Sequence, residues 1–316
     1  MPLEKGILRI LKEAYQPVSG EVLAKTLKVS RVAIWKGVQR LKSQGYEIET
    51  SKRGYFLRDK DFFLEEDLNN LLSSLTLFRE IHYLPEVTST MELAKELAEK
   101  KKRALVIAEK QVAGRGRLGR AWESEKGGLW LTLVLQETLP LKDAHHLTYL
   151  SAVATAKAIR DTYGLKARVK WPNDVLLQGK KVAGILLEIK AEIDALAYAL
   201  IGIGINVNNQ VQERPFLIPG ISISEVLGKK VDRIPLLKNL LHHFEDLFFR
   251  REDVLTEWKA LSETLKGRVK VNTPEGTFTG LALDVDEEGA LILELEDHTF
   301  KRIFSGDCIH LREDTP

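Results

Sequence analysis

The chain lacks the features that secreted and membrane proteins need. Its single cysteine, Cys308, excludes an internal disulfide and is typical of proteins in a reducing compartment. No apolar run approaches the roughly 18 residues of a membrane helix, and the N-terminus carries no signal-peptide pattern. An excess of one charge is also absent, because 47 basic side chains balance 45 acidic ones. These absences predict a folded cytoplasmic protein with no membrane partner, in which any nucleic-acid binding depends on local clusters of basic residues.

The most distinctive stretch runs from Gln111 to Trp122, where three glycines and three arginines fall within seven residues. Glycine allows positive φ and close approach to a ligand, and arginine brings a permanent charge with a planar set of donors. Because neighbouring guanidinium groups repel one another, we expect the loop to order around an anion, either phosphate or carboxylate. A solvated basic turn or a nucleic-acid patch is the alternative. The residues concerned are Gly114, Arg115, Gly116, Arg117, Gly119 and Arg120.

The N-terminal segment has the pattern of a winged helix-turn-helix. Apolar spacing predicts a helix around residues 7–11, a second from Gly20 to Leu27 and a third from Arg31 to Gly45, followed by a hairpin that turns at residues 51–54. This arrangement favours DNA binding over a docking or dimerisation module, because the start of a recognition helix reaches base edges. Trp35 and Val32 fit either packing or base contact. The residues expected at DNA are Ser30, Arg31, Val32, Lys36 and Arg40 at the third helix, and Lys52 and Arg53 in the wing.

Three corners in the middle of the chain carry polar groups or glycines at strand ends. Ser89 and Thr90 lie between a strand and a helix, where capping alone could explain them. Lys181 begins an apolar strand, so its ammonium group is either solvated or projected into a site along the close-packed backbone at Gly184. The third corner has almost no side chains, as expected where a ligand lies against the backbone, and no phosphate-binding helix follows it. Its residues are Gly202, Gly204 and Asn206, after a strand predicted from Ala195 to Ile205.

The last 50 or so residues change from helical to alternating periodicity. Strands are predicted at residues 269–271, 277–285, 290–296 and 299–304, and Gly-containing turns separate them. This is the pattern of a small antiparallel barrel.

Taken together, these motifs resemble the bacterial biotin–protein ligases that are also biotin operon repressors. The resemblance extends over nearly the whole chain, and four motifs in this order make it specific. It implies an α+β fold with an N-terminal winged helix-turn-helix, a central mixed β-sheet with helices as in class II synthetases, and a C-terminal SH3-like barrel. The motifs are residues 87–90, 114–122, 170–174 with 181–188, and 202–208. The domains expected are residues 1–60 for DNA binding, 61–265 for catalysis and 266–316 for the barrel.

The resemblance implies a reaction in two steps. Biotin and ATP give biotinyl-5′-adenylate and pyrophosphate, and a lysine of a biotin carboxyl carrier protein then attacks the mixed anhydride. Several cations are needed, because a carboxylate must approach an α-phosphate of like charge. The resemblance assigns catalytic roles to Arg115, Arg117 and Lys181, and it assigns to Asp174 the orientation of the carrier lysine. No metal ligand is expected in the protein, since ATP would carry Mg²⁺.

The resemblance also divides the site between the two substrates. An aromatic that stacks on adenine in the family has no counterpart in residues 219–223, which leaves Trp122 as the nearest candidate. The biotin residues expected are Ser89, Thr90, Met91, Gln111, Gly114, Arg115, Gly116, Arg117, Lys181, Gly184 and Gly204. The ATP residues expected are Arg115, Arg117, Arg120, Trp122, Lys181 and Asn206.

Ligand binding is expected to favour a homodimer that places two wings on a palindromic operator. Two alternatives stay open at this point. The N-terminal domain of an active ligase could have no role in transcription, or the chain could be a DNA-binding ligand sensor without ligase activity. A lipoate ligase, which shares the fold family, is a further alternative.

Overall fold

The computed structural model describes residues 3–136, 140, 144–192, 195–211 and 219–311. The chain divides into two compact units, Met1–Leu68 and Asn69–Pro316. The domain boundaries expected after residues 60 and 265 stay predictions. Most of the loop predicted from Val211 to Gly220 lies outside the described residues. Within the described ranges, no helix is both long and apolar enough to cross a membrane.

The first unit contains three helices and a hairpin around one apolar core. Two serines begin the second and third helices, because Ser19 Oγ accepts a hydrogen bond from Val22 N and Ser30 Oγ accepts one from Ala33 N. The core takes apolar side chains from all three helices and both strands. The predicted winged helix-turn-helix is therefore confirmed. Its elements are α1 (Leu3–Glu13), α2 (Gly20–Leu27), α3 (Arg31–Ser43), β1 (Ile48–Ser51) and β2 (Gly54–Leu57).

A glycine inside α3 has a packing reason that the sequence pattern does not reveal. A Cβ atom at Gly37 would lie 2.7 Å from Ile7 Cδ1 of α1, so the two helices approach closely at this point. Glycine in a helix costs about 1 kcal/mol relative to alanine. The close packing of the two helices, which a side chain at this position would prevent, offsets that cost. The helix also ends earlier than expected, at Ser43, and Gly45 follows with a φ of 91°.

The second unit is built on a seven-stranded sheet in the order β3-β4-β5-β9-β8-β7-β6. The β3–β4 pair is parallel and the other pairs are antiparallel, which confirms the predicted mixed sheet. The strands are β3 (Glu80–Leu84), β4 (Ala104–Ala108), β5 (Leu129–Leu135), β6 (Arg168–Lys170), β7 (Asp174–Leu177), β8 (Lys180–Glu192) and β9 (Ala195–Ile205). Helix α4 (Glu65–Ser73) spans the boundary between the two units. The helices of the second unit are α5 (Thr90–Glu99), α6 (His146–Tyr163), α7 (Ile223–Leu227), α8 (Ile234–Phe249) and α9 (Val254–Leu261).

One row of residues across this sheet positions the candidate site. Residues directly opposite on paired strands point to the same face of a sheet. The pairs Trp130–Gly204, Gly204–Gly184, Gly184–Asp174 and Asp174–Lys170 continue one another across five strands. The row thus runs from a tryptophan, over two glycines, to a carboxylate and then to a lysine on the edge strand.

The C-terminal part of this unit is a five-stranded antiparallel sheet in the order β13-β12-β11-β10-β14. It agrees with the predicted small barrel, and it contains one strand more than the sequence pattern predicts. That strand begins at Asp307 and follows a short turn, and its four residues alternate too briefly to stand out. The strands are β10 (Arg268–Thr273), β11 (Gly276–Val285), β12 (Leu291–Leu295), β13 (Phe300–Ile303) and β14 (Asp307–His310).

Candidate active site

A cavity of about 710 Å³ lies over the row of residues just described. The Arg-Gly loop, the strand ends of the large sheet and the start of β14 all contribute to its wall. Gly114 does not line the cavity, because a Cβ atom there would lie 2.4 Å from Trp122 O inside the loop. The other predicted substrate residues line it, namely Ser89, Thr90, Met91, Gln111, Arg115, Gly116, Arg117, Arg120, Trp122, Asp174, Lys181, Gly184, Gly204 and Asn206.

Lys181 lies in the cavity wall rather than in solvent. Its Nζ forms an ion pair of 2.6 Å with Asp174 Oδ1, although the contact lacks the angles of a hydrogen bond. The same Nζ lies 5.0 Å from the centre of the Trp122 ring, within the range of a cation–π contact. Lys181 thus faces the cavity with a carboxylate partner, and its role in a substrate site stays a prediction.

The Arg-Gly loop is held by the protein itself. Gly116 N donates to Arg120 O at 2.7 Å, and Trp122 N donates to Gly114 O at 2.8 Å, so the loop folds back as a narrow hairpin. Leu118, at its tip, has a φ of 57° and is 76% exposed. Backbone hydrogen bonds thus close the loop on itself, and the role of an anion in its order stays a prediction.

Each arginine of the loop has an acceptor of its own. Arg115 Nη2 lies 3.6 Å from Glu92 Oε1, and Arg117 Nη1 donates to Asn173 Oδ1 at 3.1 Å. Arg120 forms a two-pronged ion pair with Asp307 of β14, in which the Nη1–Oδ1 distance is 2.9 Å. Separate partners for the three guanidinium groups reduce their mutual repulsion.

The charges around these arginines shift their ionisation in opposite directions. Burial lowers the pKa of Arg117, and the nearby Asp307 and Asp174 oppose this effect only in part. The hydrogen bond from Arg120 lowers the pKa of the Asp307 carboxyl, which is therefore an anion at neutral pH. The barrel thus brings a carboxylate to the edge of the site.

The opposite end of the cavity carries a hydrogen-bonded polar group. Gln111 Oε1 accepts from Thr90 N at 2.8 Å and from Thr90 Oγ1 at 3.0 Å, and Gln111 Nε2 donates to Ser124 Oγ at 2.8 Å. Thr132 Oγ1 donates to Thr90 Oγ1 at 2.8 Å. Ser89 also caps α5, accepting from Met91 N at 3.3 Å. The sequence patterns did not indicate Thr132, which lies in an apolar strand, or Ser124, which forms an isolated β-bridge with Gln111.

Trp122 lies flat against the two glycines of the row. A Cβ atom at Gly204 would be 2.5 Å from Trp122 Nε1, and one at Gly184 would be 3.2 Å from Trp122 Cζ3. The indole also meets Trp130 edge to face, with the ring centres 6.5 Å apart. The indole of Trp122 can therefore pack this closely on the two strands only because both positions are glycine. Trp122 forms one wall of the cavity. Its predicted contact with adenine stays a prediction.

A buried ion pair supports the start of the loop, and sequence patterns did not indicate it. Arg233, 1% exposed, donates to both carboxylate oxygens of Glu109 and, at 2.6 Å, to Gly128 O. Tyr83 Oη donates to the same carboxylate at 2.6 Å. Glu109 precedes Gln111 by two residues, so this network fixes the exit of β4.

The predicted DNA residues of the first unit differ in their surroundings. Ser30 Oγ caps α3, and Arg40 Nε pairs with Glu4 at 2.8 Å. Val32 and Trp35 are 63% and 54% exposed, so neither belongs to the core. The remaining residues, Arg31, Lys36, Lys52 and Arg53, are exposed on α3 and at the tip of the hairpin.

Comparison with protein families divides the chain in the same way. Residues 83–206 match the biotin/lipoate A/B protein ligase family. Residues 4–56 match a helix-turn-helix domain, and residues 267–311 match the biotin protein ligase C-terminal domain.

Individual relatives match over almost the full length. The bifunctional ligase/repressor BirA of Bacillus subtilis is 36% identical over 96% of this chain and 98% of its own. The BirA of Escherichia coli is 31% identical over 92% of this chain and 91% of its own. The biotin protein ligase of Aquifex aeolicus, solved in complex with biotin and ATP, is 29% identical and superimposes with a TM-score of 0.62 over 75% of this chain and 100% of that one. The chain therefore belongs to the biotin/lipoate A/B protein ligase family, among its bifunctional ligase/repressors.

Proposed function

We propose that the protein is an ATP-dependent biotin–protein ligase and a biotin-responsive transcriptional repressor. It joins biotin to ATP as biotinyl-5′-adenylate, releases pyrophosphate, and transfers biotin to a lysine of a biotin carboxyl carrier protein. One observation carries the enzymatic part. Lys181 and Arg117 share one cavity with the Trp122 wall and with the polar group at Thr90 and Gln111. A ligand with an apolar ring, a polar end and a carboxylate fits that order of groups.

Biotin lies along this cavity with its ureido end at Ser89, Thr90 and Gln111. Thr90 and Gln111 already satisfy each other, so the ureido group enters a network whose side chains are fixed in advance. Its fused rings lie against Trp122, whose indole packs directly on Gly184 and Gly204. The remaining predicted biotin contacts come from Met91, from Gly116 of the loop, and from Arg115, Arg117 and Lys181, whereas Gly114 packs inside the loop and does not line the cavity.

The reacting carboxylate lies at Lys181 and Arg117, where ATP places its α-phosphate. Positive charge at both anions reduces their repulsion most in the transition state, when the distance between them is shortest. Arg120 binds the triphosphate, and Asn206 lies on the nucleotide side. Trp122 stays a candidate contact for adenine.

Asp174 acts in the second step. In the free protein it pairs with Lys181. When Lys181 turns to the phosphate, the carboxylate of Asp174 becomes available to hold the ammonium group of the carrier lysine. That lysine loses a proton before its amine attacks the anhydride.

Mg²⁺ would enter with ATP and would offset part of the charge of the phosphates. Among the described residues, no group of three His, Cys, Asp or Glu side chains is arranged to hold a metal ion. Three carboxylates line the cavity, Glu123, Asp174 and Asp307, and the two aspartates already pair with basic side chains.

Repression uses the exposed face of α3 and the tip of the hairpin. Arg31, Val32 and Lys36 approach the base edges, and Lys52 and Arg53 bind phosphates. Ser30 and Arg40 belong to the same face, although each already has a partner in the protein. Binding of the adenylate favours a homodimer, which places two such faces on a palindromic operator in the cytoplasm.

Incorporation of labelled biotin into a purified carrier domain, with Mg-ATP present, tests the enzymatic part. Replacing Lys181 by Ala should raise the barrier of adenylation by more than about 2 kcal/mol. A wild-type protein that shifts operator DNA without labelling the carrier would leave only a sensor. Calorimetry with biotin and lipoate in parallel separates the two possible acid substrates.

A further inference from the structure

Lys170 is a buried cation in the cavity wall to which the proposed function gives no role. It begins the Lys-Trp-Pro-Asn-Asp motif and ends the row of residues across the sheet, opposite Asp174. The residue is 3% exposed, yet it lines the cavity. A lysine is rarely buried to this extent without a partner of opposite charge.

The hydrogen bonds of Lys170 leave most of its donors unused. Its Nζ donates to the carbonyl oxygen of Cys308 in β14, at 2.5 Å. Within the described part of the chain it forms no ion pair with a carboxylate. An ammonium group has three donors, so two remain for a ligand.

The nearest carboxylates are already engaged by other cations. Asp174 pairs with Lys181 on one side, and Asp307 pairs with Arg120 on the other. Both act on Lys170 through space, and so does the like charge of Lys181. Lys170 thus lies between the groups proposed for the α-phosphate and the arginine proposed for the triphosphate.

Burial makes the charge of Lys170 costly in the free protein. Desolvation lowers the pKa of its ammonium group, and Asp174 only partly opposes this effect. An anion that entered the cavity would stabilise the charged form. Together with the unused donors of Nζ, this favours an anionic ligand at Lys170 in the cavity.

We propose that Lys170 binds the β- and γ-phosphates of ATP and stabilises them as pyrophosphate leaves. The proposal rests on the ligase function proposed above. In that step a bond forms between a carboxylate oxygen of biotin and the α-phosphorus, and the bond from the α-phosphorus to the bridging oxygen breaks. The electron pair of the broken bond remains on pyrophosphate, whose new charge Lys170 meets at short range. No proton moves in this step.

The barrel supports this residue through its backbone. Because the acceptor is the Cys308 carbonyl, the position of Nζ depends on β14 and not on the cysteine side chain. Strand β14, which accepts the hydrogen bond from Lys170, also supplies Asp307, the partner of Arg120. The C-terminal sheet therefore contributes to the polyphosphate site by placing two basic side chains of the catalytic sheet and loop.

The test compares Lys170→Met and Lys170→Arg in the full-length protein, with Lys166→Met as the matched control. Lys166 is an exposed lysine four residues earlier. Two reactions are measured: exchange of labelled pyrophosphate into ATP in the presence of biotin, and transfer from purified biotinyl-5′-adenylate to a carrier domain. Exchange requires pyrophosphate binding, whereas transfer does not.

Lys170→Met should raise the KM for ATP and for pyrophosphate by about 10-fold to 100-fold, the range for a lost hydrogen bond to a charged group. The rate of transfer from the adenylate should stay within about threefold of the wild-type rate, because transfer does not require pyrophosphate binding. A change of that size is no larger than the effect of an unrelated surface substitution. Lys170→Arg should recover most of the loss. In wild type the KM for ATP should also rise at alkaline pH as the amine loses its proton, and Arg at this position should abolish that rise.

Unchanged KM values for ATP and pyrophosphate in Lys170→Met would overturn the proposal, as would an equal loss in exchange and transfer. If Lys170→Met does not fold, Lys170→Gln and the pH profile of wild type decide instead. If the wild type is active and Lys170→Met is unaffected, the role of Lys170 is refuted and the proposed ligase function is not. A wild type that catalyses neither reaction refutes the proposed ligase.

Discussion

Replacing Gly204 by Ala tests where Trp122 acts. The φ of Gly204 lies outside the left-handed region, so alanine is compatible with the backbone and only the new contact matters. The added Cβ would lie 2.5 Å from Trp122 Nε1 and 2.8 Å from Trp122 Cε2. Ordinary contacts between such atoms are about 3.5 Å, so the indole must move by roughly 1 Å.

Such overpacking costs about 1–3 kcal/mol. If the displaced indole covers the rings of biotin, the same range corresponds to a rise in the KM for biotin of about 5-fold to 150-fold. The KM for ATP should change much less. Initial rates of adenylation, with each substrate varied in turn, measure both values, and thermal unfolding shows how much of the strain appears as lost stability.

A double-mutant cycle supplies the control. Trp122→Phe removes the part of the ring nearest Gly204, so adding Gly204→Ala to it should cost less than adding it to wild type, by more than about 0.5 kcal/mol. Additive effects would mean that the methyl group acts elsewhere. A rise in the KM for ATP alone would place Trp122 on adenine and refute the biotin-side contact.

Three further predictions concern the carrier step, acid stability and DNA reading. Asp174→Asn should slow transfer from purified adenylate more than it slows adenylation, by at least about tenfold, and equal effects on both steps would argue against its role with the carrier lysine. Burial lowers the pKa of His310 to about 4 from 6.5, so the folded state favours the neutral imidazole. His310 should therefore not reduce the free energy of unfolding above pH 6.5, and that free energy should decrease as the pH falls from 6.5 towards about 4. Denaturant unfolding of His310→Gln should show a free energy that depends less on pH over this range. Lys52→Ala should reduce the salt dependence of operator binding by about one counterion, whereas Trp35→Ala should weaken operator DNA more than random DNA; equal losses on both DNAs would show that Trp35 does not read bases.

Local sequence was sufficient for the elements and for much of the chemistry. The two helices of the N-terminal motif, the Ala195–Ile205 strand and the basic loop each depend on neighbouring residues, through capping, periodicity and turn chemistry. Most of the substrate residues that the family resemblance implies do line one cavity. The errors lie at helix ends and in β14, where four residues carry too little periodic signal.

What the sequence by itself determined is the set of chemical groups: three arginines on a glycine-rich loop, Lys181 and Asp174 at strand ends, and a winged helix at the start. Tertiary structure decided which groups are neighbours. The pairing register alone places Lys170, Asp174 and the two glycines in one row, and the packing of β14 alone brings Asp307 to Arg120 and the Cys308 carbonyl to Lys170. The two β14 contacts join residues more than a hundred positions apart. No local pattern encodes them or the register of the row, because both depend on how whole strands pair and pack.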